Sequence, residues 1–315
     1  MIYVMSDIHG NGRRFRSVMD QINLQPEDTL YVLGDVADRF PDGIAIIREL
    51  MGMPNVKMLL GNHEYMMQQA TAPQERSGSY WENMDLWYNN GGEVTEKALM
   101  ALNQDQRDEI YDYLRKLPLS YEIEVNGTTY LLIHGAPMEW YSAYEWKYMS
   151  KRQYTVWHRW KLTEKLEDDR IVIFGHTPTC EFDPKPDPMK IFYGDHRIGI
   201  DCGSGFPVNA NSYGYPRGRL ACLRLDDMRE FYSEEFYKDR EYSEAEVKRF
   251  WEDLKTVRIS QWNWIETEFL WFRKRTQLKT IYQWFEAHYP GGVEALKHGK
   301  ENSVAGPTSD DDPDA

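Results

Sequence analysis

The amino-acid sequence predicts an α/β fold, on three observations. Short, apolar, β-rich runs recur through the first 225 residues, helical patterns lie between the early runs, and nearly every run ends in a side chain able to bind a metal. The runs cover residues 2–5, 29–33, 56–60, 128–133, 171–174, 198–200 and 220–225, and each predicts a buried strand. Between the first two, Phe15, Val18, Met19 and Ile22 fall three or four apart, which places them on one face of a helix. After the second, residues 44–50 read as a helix with Asp42 as its candidate cap.

Residues 71–117 are polar and rich in Trp and Tyr, with Asn90-Gly91-Gly92 as a turn and 104–114 as a helix, and they predict an insertion over the sheet. Beyond about residue 230 the pattern becomes helical throughout. Ser243 and Glu246 have capping-box spacing, and Val247, Phe250, Trp251, Leu254 and Val257 share a face. Two more apolar stripes follow, one carrying Ile265, Phe269 and Phe272, the other Leu278, Ile281 and Phe285. The expected organisation is thus a main domain over residues 1–230, an aromatic-rich helical extension over 231–299 and an acidic disordered tail over 300–315. The extension's apolar stripes read as packing surface, or as a docking or oligomer contact.

Composition narrows the function. With 37 Lys and Arg against 51 Asp and Glu, the net charge is −14, which disfavours a nucleic acid as the main partner. The densest basic run, Arg273-Lys274-Arg275, reads as a solvated helix side. No apolar run approaches the roughly 18 residues needed to span a bilayer. The first residues lack the pattern of a secretory leader, and three cysteines without close spacing suit a reducing compartment, so the expectation is a cytoplasmic protein with no membrane partner.

The chemistry gathers where the runs end. Residues 2–5 lead into Asp7-Ile8-His9, 29–33 into Gly34-Asp35-Val36-Ala37-Asp38-Arg39, and 56–60 into Gly61-Asn62-His63-Glu64. Later, 128–133 leads into His134, and 171–174 into Gly175-His176. Sites in open α/β sheets lie outside the carboxyl ends of strands, so these segments can meet in space although they are far apart in sequence. Asp7 and His9, two apart on extended backbone, point to one side and can share an ion. The mixture of carboxylate, imidazole and amide oxygen suits Mn²⁺, Fe²⁺ or Zn²⁺ rather than an all-oxygen calcium cage. Six candidate ligands (Asp7, His9, Asp35, Asn62, His134 and His176) exceed what one ion needs and predict two ions bridged by a carboxylate. His158, His196, His288 and His298 carry no such context and read as ordinary polar residues.

These motifs, with Trp157-His158-Arg159, Gly175-His176-Thr177-Pro178 and Ile200-Asp201-x-Gly203, resemble the calcineurin-like metallophosphoesterases, over roughly residues 1–225. Asp38-Arg39 and Glu64 make the resemblance strongest to the phosphoprotein phosphatase branch, especially its small bacterial and bacteriophage members. The resemblance implies a two-sheet β-sandwich flanked by helices, with residues 1–230 as the catalytic domain. It implies two divalent ions, Mn²⁺ first and Fe or Zn as alternatives, one held by Asp7, His9 and Asp35, the other by Asp35, Asn62, His134 and His176. It further implies His63 as the general acid, Asp38 orienting its ring, and Arg39 and Arg159 clamping the phosphoryl oxygens, with Asn62 and His63 also facing the phosphate. Arg152 and Arg170 stand as alternatives to Arg159. The reaction implied is direct in-line attack on a phosphate ester by water activated between the ions, without a covalent intermediate.

The sequence departs from the family at Ser6 and Phe40, where glycine is usual, and Phe40 is expected to present an aromatic wall to the cleft. The substrate implied is a phosphoserine, phosphothreonine or phosphotyrosine protein, or a small phosphoester. A symmetrical dinucleoside tetraphosphatase shares the motifs and stays open, with Tyr80, Trp81, Trp87 and Tyr88 as candidates for stacking on bases. So does a non-catalytic phosphate-binding scaffold.

Overall fold

The structure is a computed structural model, and it describes residues 1–72, 76–161, 163–164, 168–206 and 215–233. The helical extension and acidic tail read from the sequence lie outside the described residues.

The described residues build two five-stranded sheets. The first contains β1 (Ile2–Met5), β2 (Thr29–Val32), β3 (Val56–Met58), β9 (Ala221–Arg224) and β10 (Arg229–Tyr232), ordered β10-β9-β1-β2-β3. The second contains β4 (Ser120–Val125), β5 (Thr128–Ile133), β6 (Ile171–Phe174), β7 (Phe192–Gly194) and β8 (Arg197–Gly199), ordered β4-β5-β6-β8-β7. In each sheet three strands run parallel: β1, β2 and β3 in the first, β5, β6 and β8 in the second. Antiparallel strands complete the edges. The mixed architecture is the two-sheet sandwich that the motifs implied.

Period-two alternation decides what each sheet face buries. In β1, Val4 joins Tyr31, Leu33 and Leu59 against Leu132, Ile173 and Ile198 of the second sheet, and this layer is the sandwich core. The intervening Tyr3 and Met5, with Leu30 and Val32, face the helices instead, packing on Phe15, Val18, Ile44 and Ile47. Val4 and Met5 are both fully buried. Full burial of side chains of this size is worth about 1.5–3 kcal/mol each, which explains why these short strands read as continuous apolar runs.

Helix α1 (Gly12–Ile22) carries the predicted Phe15, Val18 and Ile22 stripe. Asn11 caps it, its side chain accepting the Arg14 amide at 3.1 Å. Helix α2 (Gly43–Met51) begins after Asp42 as expected, but the Asp42 side chain makes no capping bond. Helix α3 (Asn62–Thr71) follows β3 directly. The 71–117 region folds into α4 (Tyr80–Asn89), α5 (Glu93–Met100) and α6 (Gln104–Lys116). The last starts at a reciprocal box in which Asn103 and Gln106 each bond the other's amide, at 2.9 and 3.1 Å. Helix α7 (Lys151–Trp157) precedes β6. Among the described residues no helix is long and apolar enough to cross a membrane.

A candidate dinuclear metal centre

Three strands of each sheet run parallel, and residues from the loops after them line one cleft, from Asp7 after β1 to Asp201 after β8. The backbone of these loops is bent in an uncommon way, and Asp7 and His9 do not lie on the extended backbone expected from their spacing. Among the described residues ten that are not glycine have positive φ, and six of these are Asp7, His9, Asp35, Asp38, Arg39 and His176, at +52° to +70°. Left-handed backbone costs a non-glycine residue free energy and persists only where surrounding contacts fix it, so its concentration here marks a site. Gly10, φ +66°, shows the crowding: a Cβ there would lie 2.1 Å from the Phe40 carbonyl oxygen.

The fixing contacts are specific. Glu64, fully buried on the first turn of α3, accepts amide protons from Asp35 (2.9 Å), Val36 (2.8 Å), Ala37 (3.0 Å) and Gly61 (3.1 Å). One carboxylate therefore holds the entire loop after β2 against the start of α3. Asp35 Oδ1 in turn accepts the His63 amide at 2.9 Å, so its charge sits at the positive end of that helix. Asp7 accepts the Ser6 hydroxyl at 2.5 Å and the His176 amide at 3.0 and 3.1 Å, which joins β1 to β6. Ser6 at a family glycine position thus gains a defined role.

Three histidines are wired alike. One ring nitrogen of His9 meets Ala37 O at 3.2 Å, one of His134 meets Leu33 O at 2.7 Å, and one of His176 meets Trp157 O at 3.0 Å. A carbonyl can only accept, so that nitrogen carries the proton and the other is left as a lone-pair donor. These second nitrogens converge on Asp35: the Nε2 of His9 is 3.9 Å from Asp35 Oδ2, and the Nε2 of His134 is 3.4 Å from Asp35 Oδ1 and 3.0 Å from Asn62 Oδ1. Asp35, His134 and His176 form one cluster of buried ligand atoms within 4.8 Å of one another, and His9, Asp35 and His63 form a second. Asp35 belongs to both, as a bridging carboxylate must. Asp7 lies beside the second cluster, its Oδ1 3.9 Å from His9 Nε2.

His63 differs from the other three. Its Nδ1 meets Asp38 Oδ2 at 2.7 Å, a buried carboxylate rather than a carbonyl. Its Nε2 faces the cleft, 3.4 Å from Arg39 Nη2 and 3.9 Å from Asp35 Oδ2.

The electrostatics of the protein alone show what the donor set lacks. Burial, with the charge of Asp201, pushes the Asp7 carboxyl well up. Burial also pushes up Asp35, but the charges of His134 and His63 outweigh it and hold that carboxyl well below its usual range. Burial pulls His134 down, yet Asp35 raises it to about 9. His9 falls through burial and Arg39, and His176 through burial and His134. Buried carboxylates crowded together and imidazoles that cannot all carry protons are the pattern a divalent cation resolves, since it keeps every ligand deprotonated at once. The two clusters around Asp35, one with His9 and His63 and one with His134 and His176, have the donor chemistry to hold such ions, with Asp7 and Asn62 beside them.

The centre opens into a cleft of about 400 Å³, bordered by Arg39, Arg159, Asn90, Trp157, Phe206 and Tyr215. Arg159 reaches it while its Nη1 donates to Glu181 Oε1 at 2.7 Å. The two alternatives do not border it. Arg152 donates to the Leu114 carbonyl at 3.5 Å, and Arg170 pairs with Asp168 and Glu139 at 2.6 Å and Glu122 at 3.1 Å. Phe40 is buried and forms no part of the cleft wall. The aromatic candidates for stacking also need correction. Trp87 is fully buried, Tyr80 and Trp81 are exposed and pack on each other 5.0 Å apart, and none of these lines the cleft, nor does Tyr88. The aromatic border comes from Trp157, Phe206 and Tyr215 instead, which only tertiary placement reveals.

Sequence reasoning missed the work of Trp87, Thr95 and Asp201. Trp87 Nε1 donates to both Asp38 oxygens, at 2.9 and 3.0 Å, and Thr95 Oγ1 accepts the Asp38 amide at 2.9 Å. Asp201 lines the cleft with its carboxyl raised to about 6, chiefly by burial. The signal for Asp201 was its place after an apolar run, as for the other acids.

Comparison with known proteins agrees with the geometry. The profile of the calcineurin-like phosphoesterases matches residues 1–198. A symmetrical bis(5'-nucleosyl)-tetraphosphatase of Acidovorax sp. (strain JS42) is 28% identical over 146 residues, which are 46% of this chain and 47% of that protein. The match thus spans about half the length of that relative. Serine/threonine-protein phosphatase 2 of Salmonella typhimurium is 27% identical over 184 residues, 56% of this chain and 78% of that protein. The crystal structure of a metallophosphoesterase from Sphaerobacter thermophilus overlaps 73% of this chain and 86% of its own with a TM-score of 0.43 at 20% identity. A profile match over residues 1–198, more than half of the chain, makes this protein a member of the calcineurin-like phosphoesterases.

Proposed function

We propose that the protein is a phosphomonoesterase that depends on two divalent metal ions, Mn²⁺ first among them, and that it acts on phosphorylated proteins. The observation that carries this reading is the division of labour among four buried histidines around Asp35: three present lone pairs fixed by backbone carbonyls, and one is paired with a carboxylate. Bound ions supply charge neutralisation at the phosphoryl oxygens and activation of water. The chain's own residues do the rest. Arg39 and Arg159, on the cleft border, pair with the equatorial oxygens as charge spreads over them. His63, oriented by Asp38, gives its Nε2 proton to the leaving oxygen as the phosphorus–oxygen bond breaks. Arg159, half exposed and shared with Glu181, contributes less than Arg39, whose Nη2 lies 3.4 Å from His63 Nε2.

The experiment is a leaving-group comparison on the metal-loaded enzyme. His63→Asn lowers kcat on a phosphoserine peptide by about 10²–10⁴-fold, the usual worth of a general acid, while an aryl phosphate whose leaving group needs no proton is affected far less. Equal turnover of wild type and variant on the peptide refutes the acid role. The aromatic border of the cleft also favours a second reading, hydrolysis of dinucleoside polyphosphates, the substrate class named for the Acidovorax relative. Cleavage of a dinucleoside tetraphosphate in preference to the phosphopeptide selects that reading over the first.

A further inference from the structure

Asp38 is where the helical insertion meets the chemistry. Its carboxylate is wholly buried, and its partners come from two places. His63 Nδ1 on α3 lies 2.7 Å from Oδ2, and the indole nitrogen of Trp87 on α4 donates to both oxygens at 2.9 and 3.0 Å. Thr95 on α5 accepts the amide of the same residue at 2.9 Å, and Gly91, between the two helices, accepts the amide of Arg39 at 3.0 Å. The turn itself is shaped around the indole. A Cβ on Gly92 would come within 2.4–2.5 Å of the Trp87 ring, and one on Gly91, φ +93°, within 3.0 Å of Arg39 Cγ. Glycine at both positions lets the turn close over the ring and the arginine together.

We propose that Trp87 is a positioning residue for the proton-donating pair: its indole N–H fixes the Asp38 carboxylate, and through it the ring plane and Nδ1 proton of His63. This rests on the general-acid role of His63. An indole nitrogen donates and never accepts, so opposite Trp87 the carboxylate has no alternative to serving as acceptor, and the bond shared between its two oxygens holds its plane. Without that donor, a buried carboxylate with four lone-pair sites would be free to rotate about χ2, carrying the imidazole with it. Residues 71–117 thus act less as a lid over the substrate than as a brace behind the acid, which explains why their most buried aromatic points at Asp38 and not into the cleft.

The test is Trp87→Phe on the metal-loaded enzyme, with kcat measured on an alkyl and an aryl phosphate beside His63→Asn and Asp38→Asn. The expected result is a loss on the alkyl phosphate on the order of tenfold to a hundredfold, the range seen when outer partners of site histidines are removed, with a much smaller loss on the aryl phosphate. In the Asp38→Asn background the same substitution adds nothing further, because the group it positions is gone. Equal losses on both substrates, an intact alkyl-phosphate rate, or a fully additive double variant overturns the proposal. If Trp87→Phe fails to fold, Trp87→Tyr, which likewise removes the indole donor to the Asp38 carboxylate while keeping an aromatic ring, carries the same comparison with the same outcomes. Where His63→Asn itself spares the alkyl phosphate, the general-acid reading falls; where His63→Asn is impaired and Trp87→Phe is not, the Trp87 assignment alone falls.

Discussion

The cleft's histidines are held by two different parts of the molecule. His9, His134 and His176 sit on loops at the ends of sheet strands and lean on backbone carbonyls of neighbouring segments. His63 sits on the first turn of α3 and leans on a carboxylate that is itself braced by α4 and α5. A carbonyl fixes a tautomer without adding charge, which suits a ring that must stay neutral and offer a lone pair. A carboxylate places a negative charge beside the far nitrogen, which suits the proton-donating role proposed for His63. The difference teaches that ring chemistry here follows from the partner of the far nitrogen more than from distance to the centre, since His63 lies as close to Asp35 as His9 does, at 3.9 Å.

The largest effect that would sharpen this contrast is at the residue both groups share. Asp35→Asn removes the bridging charge, and the expected loss of turnover is on the order of a thousandfold, since ion stabilisation is worth several kcal/mol and each 1.4 is a factor of ten. Calorimetric titration with Mn²⁺ should show fewer than two ions bound, and the stabilisation that the metal gives wild type on heating should shrink. Two ions bound with wild-type affinity would break the bridging assignment.

A smaller effect is expected one layer out. Glu64→Gln keeps shape but replaces a four-fold acceptor's carboxylate with an amide that also presents donors to donors. Stability should fall by about 1–3 kcal/mol in metal-free urea unfolding, the cost of leaving buried amides unpaired. The loop after β2 carries both Asp35 and Asp38, so this variant should weaken the metal shelf and the acid pair together. An unchanged unfolding midpoint would show that the loop is held some other way.

The smallest effect should come from outside both groups. Arg170 holds the Asp168 carboxyl below its usual value by a side-chain bond, at the far edge of β6. A depressed carboxylate contributes stability above its unfolded value and loses it as pH falls through the folded one. Asp168→Asn should therefore flatten the acid end of the stability curve slightly, below about pH 4, and leave turnover alone. A marked loss of activity would show that this ion-pair cluster is coupled to the centre after all.

Much of the centre was legible in the sequence because its candidate ligands follow apolar runs. Asp7, Asp35, Asn62, His134 and His176 each stand just beyond a strand, and parallel strands must deliver such residues to one edge. Of the antiparallel strands, β4 carried a signal that went unread, since Ser120–Val125 alternates polar and apolar residues strictly, whereas Phe192–Gly194 and Arg229–Tyr232 are short and are defined by pairing with a neighbour. Phe40 was misplaced for a related reason. An aromatic after Asp38-Arg39 reads as a wall only if the chain continues outward, and the two positive φ values before it turn it inward.

The sequence by itself determined seven of the ten strands among the described residues and the candidate ligands that follow them, because burial imposes period and polarity on those runs, and a run's end is visible wherever the polarity changes. Only the tertiary structure decided which nitrogen each histidine offers, which arginine reaches the cleft, and that Trp87 serves Asp38 instead of a substrate. Those depend on contacts between residues tens of positions apart, and a carbonyl, a carboxylate or an indole nitrogen leaves no periodic trace of the partner it will meet.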